Sequence, residues 1–226
     1  MNFLEIAKQV WEETGRMGAA PSAVTSLAGD QARVVRRVRD CWLDLQRDRR
    51  WRWMRLTRTA TLVADQVQYT PANLGIASFW KWWPQGVVYR PMVLDADGNR
   101  LGSLEWMPYE DFRDGYLDRS VASGTPRDWS IAPNGDLLLG PAPTVGLQIK
   151  VDHFSALQDL TATSDVPSMP VEHHRILVWM AAEQMGMSDE NGAEMARVKQ
   201  RRAEDYGRLL TDQAEGISIE YSEPLA

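Results

Sequence analysis

The sequence contains one cysteine, Cys41, and three histidines, His153, His173 and His174. A lone cysteine excludes an internal disulfide framework and any cysteine-based zinc module. His173 and His174 are adjacent, so on a helix they point about 100° apart and cannot share an ion. The pattern offers no third ligand, and neither a metal nor a cofactor is expected. No run of about 18 apolar residues occurs, which excludes a membrane-spanning helix; no membrane partner is expected. The N-terminus has no basic start followed by an apolar stretch, so it does not read as a secretory signal. Synthesis in a reducing cytoplasm is the expectation. Catalytic patterns are also missing. No glycine-rich phosphate loop precedes a helix, and there is no GxSxG elbow. Glu105, Glu110, Asp111, Asp114 and Asp118 are residue types that serve glycoside hydrolysis as a carboxylate pair, yet such density is common on soluble surfaces. No enzyme is expected.

What is present is 226 residues with a formal net charge of −6 and an apolar fraction of 44%. That length suffices for one or two domains with a sizeable core. Two counts stand out: ten Trp, and only four Lys among the 25 basic residues, the rest being Arg.

The periodicity changes twice along the chain. Phe3, Ile6, Ala7, Val10 and Trp11 recur at helical spacing. Asn2 and Glu5 form a capping-box pattern ahead of them, and Gly15 suits the C-terminal cap. Asp30 is expected to cap a second helix with the apolar stripe Val34, Val38, Cys41, Trp42 and Leu45, ending near Asp48–Arg50. Strands follow. Leu56–Val63 is expected to pair with Val67–Tyr69 across Ala64-Asp65-Gln66. Val87–Leu94 and Leu101–Met107 flank the turn Asp97-Gly98. Trp129–Ile131 and Asp136–Leu139 flank Asn134-Gly135, the clearest hairpin signal. Tyr109, Phe112 and Tyr116 share one face of a short helix. Leu147, Ile149 and Val151 alternate as a last strand. Helical spacing then returns in Ile176, Leu177, Met180 and Ala181. After a break at 186–189, capped by Asp189, it resumes in Met195, Val198, Tyr206, Leu209 and Leu210, and Gly216 ends it. Ile217, Ile219 and Tyr221 alternate as an unpaired strand would. Segregated runs of this kind predict an α+β fold: a helical bundle formed by the N- and C-terminal helices, with an inserted, mostly antiparallel β region. The expected divisions are 1–55, 56–165, 166–216 and a C-terminal extension at 217–226.

Two constellations are candidates for contact. Arg33–Arg58 holds ten Arg and three Asp, a local balance of +7 against −13 for the remainder. Such asymmetry suits opposite surfaces that meet different partners. Phosphate contact by a DNA-binding protein is one reading; a solvated helix face with pairs such as Arg36–Asp40 is another. Arg in place of Lys favours planar pairing with carboxylates, hence protein interfaces. The second constellation is Phe79-Trp80-Lys81-Trp82-Trp83-Pro84, whose spacing buries all three Trp in neither helix nor strand. Trp is enriched at interface cores; sugar stacking, in a carbohydrate-binding module, is the alternative. The interface candidates are therefore Arg33, Arg36, Arg37, Arg47, Arg50, Trp51, Trp53, Trp80, Trp82 and Trp83. Cys41 sits on the apolar stripe and reads as packed.

Several segments together resemble the head-to-tail adaptor (connector, head-completion) proteins of tailed phages, particularly the short-tailed group. Phe3-Leu4-Glu5-Ile6-Ala7 with Glu12-Glu13-Thr14-Gly15 is similar to that family's opening helix. Val35–Leu45 with Arg50-Trp51-Arg52-Trp53 resembles its second helix and aromatic exit, and Thr57–Tyr69 with Pro71 its first hairpin. Gly124-Thr125-Pro126-Arg127-Asp128-Trp129, Leu138-Leu139-Gly140-Pro141 and Asp165-Val166-Pro167 followed by His173–Ala182 resemble later segments, in the family's order. Ile76–Trp83 departs from the polar loop usual there. The resemblance implies a structural virion protein that forms a closed ring of about twelve copies. It would sit beneath the portal protein, extend the DNA channel and dock a tail or nozzle protein, with the inserted β region facing the tail. Double-stranded DNA would pass through the lumen without specific binding. Ile217, Ile219 and Tyr221 are the portal-docking candidates, by strand addition or by ordering only on docking.

Overall fold

The structure, a computed structural model, describes residues 1–83, 90–186 and 192–213. The chain divides into two compact units, Met1–Met54 with Leu157–Ala226, and Arg55–Ala156. The architecture is α+β, with helices contributed by both ends of the chain and two mostly antiparallel sheets between them in sequence.

In the first unit, α1 (Phe3–Glu13) begins at a capping box. The Asn2 side chain accepts from the Glu5 N–H, and the Glu5 carboxylate accepts from the Asn2 N–H, each at 2.9 Å. Phe3, Ile6, Ala7, Val10 and Trp11 form its buried face. Helix α2 (Gly29–Asp48) buries Val34, Val35, Val38, Cys41, Trp42 and Leu45. Its N-cap is Ala28, with no side-chain cap. Asp30 lies inside the first turn instead, where it pairs with Arg16 and, at 3.2 Å, with Arg33. The two guanidiniums claim the carboxylate that was expected to cap. Helix α4 (Arg175–Gly186) is buried on most sides, the mark of a central helix. It packs against α1, α2 and α5 (Gly192–Gln213). The expected break after Gly186 and the Asp189 cap lie outside the described residues. Cys41 is fully buried, which pushes its thiol up to about 12.

The second unit holds two sheets. The first runs β1 (Arg55–Thr61), β9 (Gln148–Phe154), β4 (Met92–Leu94), β5 (Arg100–Ser103), with β3 (Lys81–Trp82) also paired to β9. The second runs β2 (Gln68–Tyr69), β8 (Leu137–Gly140), β7 (Asp128–Ile131), β6 (Glu105–Trp106). Among the named strands of the described residues, only β6 and β7 pair in parallel. Both sheets feed one core that includes Leu62, Tyr69, Trp82, Val93, Trp129, Leu139, Ile149 and Val151.

The Asn134-Gly135 hairpin forms as expected, with Gly135 at φ 90°. The turn at Asp97-Gly98 joins β4 to β5, with Gly98 at φ 86°. Two strand expectations fail. β1 and β2 do not form a hairpin: β1 pairs with β9 and β2 with β8, in different sheets. The 64–66 turn carries the chain across the core, because Leu62 and Tyr69 both bury there. Leu101–Met107 likewise splits, into β5 and β6, with the buried Leu104 at the crossing. Of the Val87–Leu94 strand, 87–89 lie outside the described residues. The short helix α3 (Tyr109–Phe112) runs into a π-helical turn at Arg113–Leu117, and Phe112 and Tyr116 meet at 4.9 Å.

Candidate interaction surfaces

The amphipathic pattern of α2 that buries its apolar stripe turns its Arg residues outward. Arg33, Arg36, Arg37 and Arg47 are exposed, as is Arg50 beyond the helix. Most of the ten Arg in 33–58 have partners inside the chain. Arg33 meets Asp30, Arg47 meets Asp44 at 3.7 Å and Arg49 meets Asp48 at 3.6 Å. Arg39 holds Asp159 through a fork whose Nε–Oδ1 bond is 2.6 Å; this hydrogen bonding keeps the Asp159 carboxyl below its usual range. Arg52 donates to the Asp212 carbonyl and Arg58 to the Leu74 carbonyl. Arg55 pairs with Asp152. Among the described residues, Arg36, Arg37 and Arg50 have no ion partner. Arg37, Asp40, Leu43, Asp44, Arg47 and Gln184 line an open groove on this unit that carries both charge signs.

Just past α2, Trp51 and Trp53 stack at 4.7 Å with an interplanar angle of 16°. Trp51 is fully buried, and its Nε1 donates to the Leu45 carbonyl at 2.6 Å. Tyr206 meets its edge at 6.4 Å. Trp53 is half-buried.

The second unit gathers the other Trp group along the end of β9. Trp80 donates its N–H to the Phe154 carbonyl at 2.9 Å, and Trp83 to the Asp152 carbonyl at 3.1 Å. Alternation puts Trp82 on the face opposite Lys81 and Trp83, and Trp80 precedes the strand. Trp82 turns into the core, 4% exposed, with its Nε1 on the Gly135 carbonyl at 2.8 Å. Trp80 and Trp83 remain half-buried on the opposite face, around Phe154. Trp83 stacks on Phe154 at 5.2 Å, and the Arg55 guanidinium lies 4.0 Å over its ring. Lys81 Nζ lies 3.7 Å over Trp80. Arg55 is anchored by Asp152, at 2.6 and 2.8 Å, and Thr57 Oγ1 donates to the same carboxylate at 2.7 Å. Cations and a phenyl ring thus occupy the aromatic surfaces that a sugar would need, and the three Trp do not form one platform.

A family model described as SU10 adaptor protein matches residues 1–225. The chain belongs to the SU10 adaptor protein family. It is a phage structural adaptor protein and so a component of the virion. No curated protein shows a significant match.

The portal-docking candidates Ile217, Ile219 and Tyr221 lie outside the described residues. His173 and His174 diverge. The buried His174 has Nδ1 3.0 Å from the Met1 carbonyl and Nε2 3.0 Å from the Met169 carbonyl; burial lowers its pKa. His173 Nε2 lies 2.9 Å from Asp212 and, with Glu172, forms a three-ligand cluster within 4.8 Å. Glu172 and Asp212 are exposed, and the Arg52 charge acting on Asp212 opposes a cation there. Sequence reading missed this cluster and the Asp152 anchor because their members lie 39 and 97 residues apart.

Proposed function

We propose that this adaptor is a head-to-tail connector of a short-tailed phage. In this reading it forms a homo-oligomeric ring of about twelve copies. The ring sits beneath the portal protein, extends the DNA channel and presents a docking surface to a tail or nozzle protein. The observation that carries the reading is the family match, which spans both units of the chain. Two physical features support it. A ring needs heterologous contacts between different patches of neighbouring copies, and Arg36, Arg37 and Arg50, exposed and without an ion partner among the described residues, supply one distinctive patch on an otherwise acidic chain. A channel that lets DNA slide must not grip phosphate, and seven of the ten Arg in 33–58 are already engaged within the chain. The same engagement argues against a DNA-binding role for that segment.

The test is co-sedimentation with purified portal particles, followed by electron microscopy of the mixture. A ring capping one end of the portal is the expected result. An adaptor that never co-sediments with portal overturns the reading.

A further inference from the structure

Strand β1 lies at the edge of its sheet and, among the described residues, pairs only with β9. The direction of its free hydrogen-bonding groups follows from the register. Leu62 continues the β1–β9 pairing, and its N–H donates to the Leu147 carbonyl at 2.8 Å. Opposed residues of an antiparallel pair alternate between exchanging hydrogen bonds and not, so Ala60, Arg58 and Leu56 are the bonded positions. The N–H and C=O groups of Thr57, Thr59 and Thr61 therefore point away from β9, and none has a backbone partner among the described residues. All three residues are exposed, and Leu56 beside them is 45% exposed. A seven-residue open edge is a template for strand addition, which native proteins cover or blunt.

The same sequence contains a segment suited to cover it. Ile217, Ile219 and Tyr221 alternate with Ser218, Glu220 and Ser222, the pattern of a strand with one apolar and one polar face. Residues 217–226 carry Glu220 and Glu223 and no base, and β1 carries no acid; Arg55 of β1 is matched by Asp152, whereas Arg58 donates only to the neutral Leu74 carbonyl and has no ion partner among the described residues. Thirteen residues follow Gln213, a reach of about 40 Å when extended.

We infer that residues 217–221 of one copy add as a strand to the open edge of β1 in the neighbouring copy. The inference rests on the ring reading and deepens it. Donor segment and acceptor edge are different patches, so each copy gives and receives once, which is the heterologous contact a ring requires. Ile217, Ile219 and Tyr221 would extend the apolar side at Leu56, and Ser218 and Glu220 would lie with the threonines.

Cysteine pairs in the full-length chain, without portal, test this. The native Cys41 is fully buried and does not interfere. Thr57→Cys/Glu220→Cys and Thr59→Cys/Glu220→Cys, whose side chains would share the threonine face, oxidised at high protein concentration, should give a reducible ladder of dimers, trimers and larger species, whereas the single variants stop at dimers. Adding Thr59→Pro to the first pair removes a donor that faces the open edge and is not used by β9. It should keep the helical content and melting temperature of its parent and lower the ladder yield at least tenfold. Two double variants that stay monomeric, or that form only a disulfide within one chain, overturn the inference, as does a ladder indifferent to the proline. Portal docking without a ladder overturns this inference alone; a ladder without portal docking overturns the connector reading alone.

Discussion

The Arg55–Asp152 pair permits a prediction in which the order of two costs matters more than either size. Asp152 is 6% exposed in its side chain and Arg55 31%. Arg55→Ala strips a buried carboxylate of its bonds at 2.6 and 2.8 Å and leaves it, among the described residues, the Thr57 hydroxyl as side-chain partner. Water cannot replace what was lost, and an uncompensated buried charge costs about 3 to 4 kcal/mol. Loss of the guanidinium over Trp83 adds to this in the same direction. Asp152→Ala leaves the opposite charge, but a guanidinium one-third exposed rehydrates, and the cost is about 2 kcal/mol, that of a hydrogen bond to a charged group. The double substitution removes the orphaned carboxylate and should be more stable than Arg55→Ala alone. Urea denaturation followed by circular dichroism, with all variants at one pH and salt concentration, reads these differences as midpoint shifts. If Asp152→Ala proves as destabilising as Arg55→Ala, or the double substitution is worse than both, the reasoning from unequal solvent access is refuted.

Further consequences are open to simple measurement. Trp82→Ala should cost about 3 to 5 kcal/mol, because the ring is core and its Nε1 is bonded to the Gly135 carbonyl; Trp80→Ala, half-buried under Lys81, should cost clearly less in the same urea titration. Gly140→Ala would place a methyl 2.6 to 2.8 Å from the Tyr116 ring, and overpacking of this kind should lower stability by about 1 to 3 kcal/mol. His174 has a folded pKa below its unfolded value of about 6.5, so its contribution is intact above that value and is lost as the pH falls through the folded pKa. Melting temperature should therefore drop below about pH 6.5, and His174→Gln should flatten that drop. Cys41, pushed up to about 12, should stay unreactive to a thiol reagent at pH 8 until urea unfolds the first unit.

Much of the fold was legible because it rests on near neighbours in the chain. The Asn2–Glu5 capping box, the α2 stripe, the Asn134-Gly135 turn and the alternation in β9 are each stated within a few residues, and each forms. The Arg-rich surface of α2 was legible for the same reason: once the apolar stripe is buried, the remaining positions face water. What failed depended on competition between local and distant partners. Asp30 has the chemistry of a cap and is taken by guanidiniums. The segments 56–63 and 67–69 look like a hairpin, yet each finds a longer or better-buried partner in β9 or β8.

For this protein, then, sequence alone determined the helical ends, the strand-rich middle, the outward Arg set and, through the order of its motifs, the resemblance to phage adaptors. Tertiary structure decided which strands pair, that Trp82 and Trp51 are core while Trp80 and Trp83 are half-exposed, and that most of the Arg charge is matched inside the chain. The reason is physical. Periodicity records which side of an element is apolar, a property of adjacent residues. Pairing register, ion partners and edge exposure depend on groups about 100 residues apart that the core brings together only as it closes.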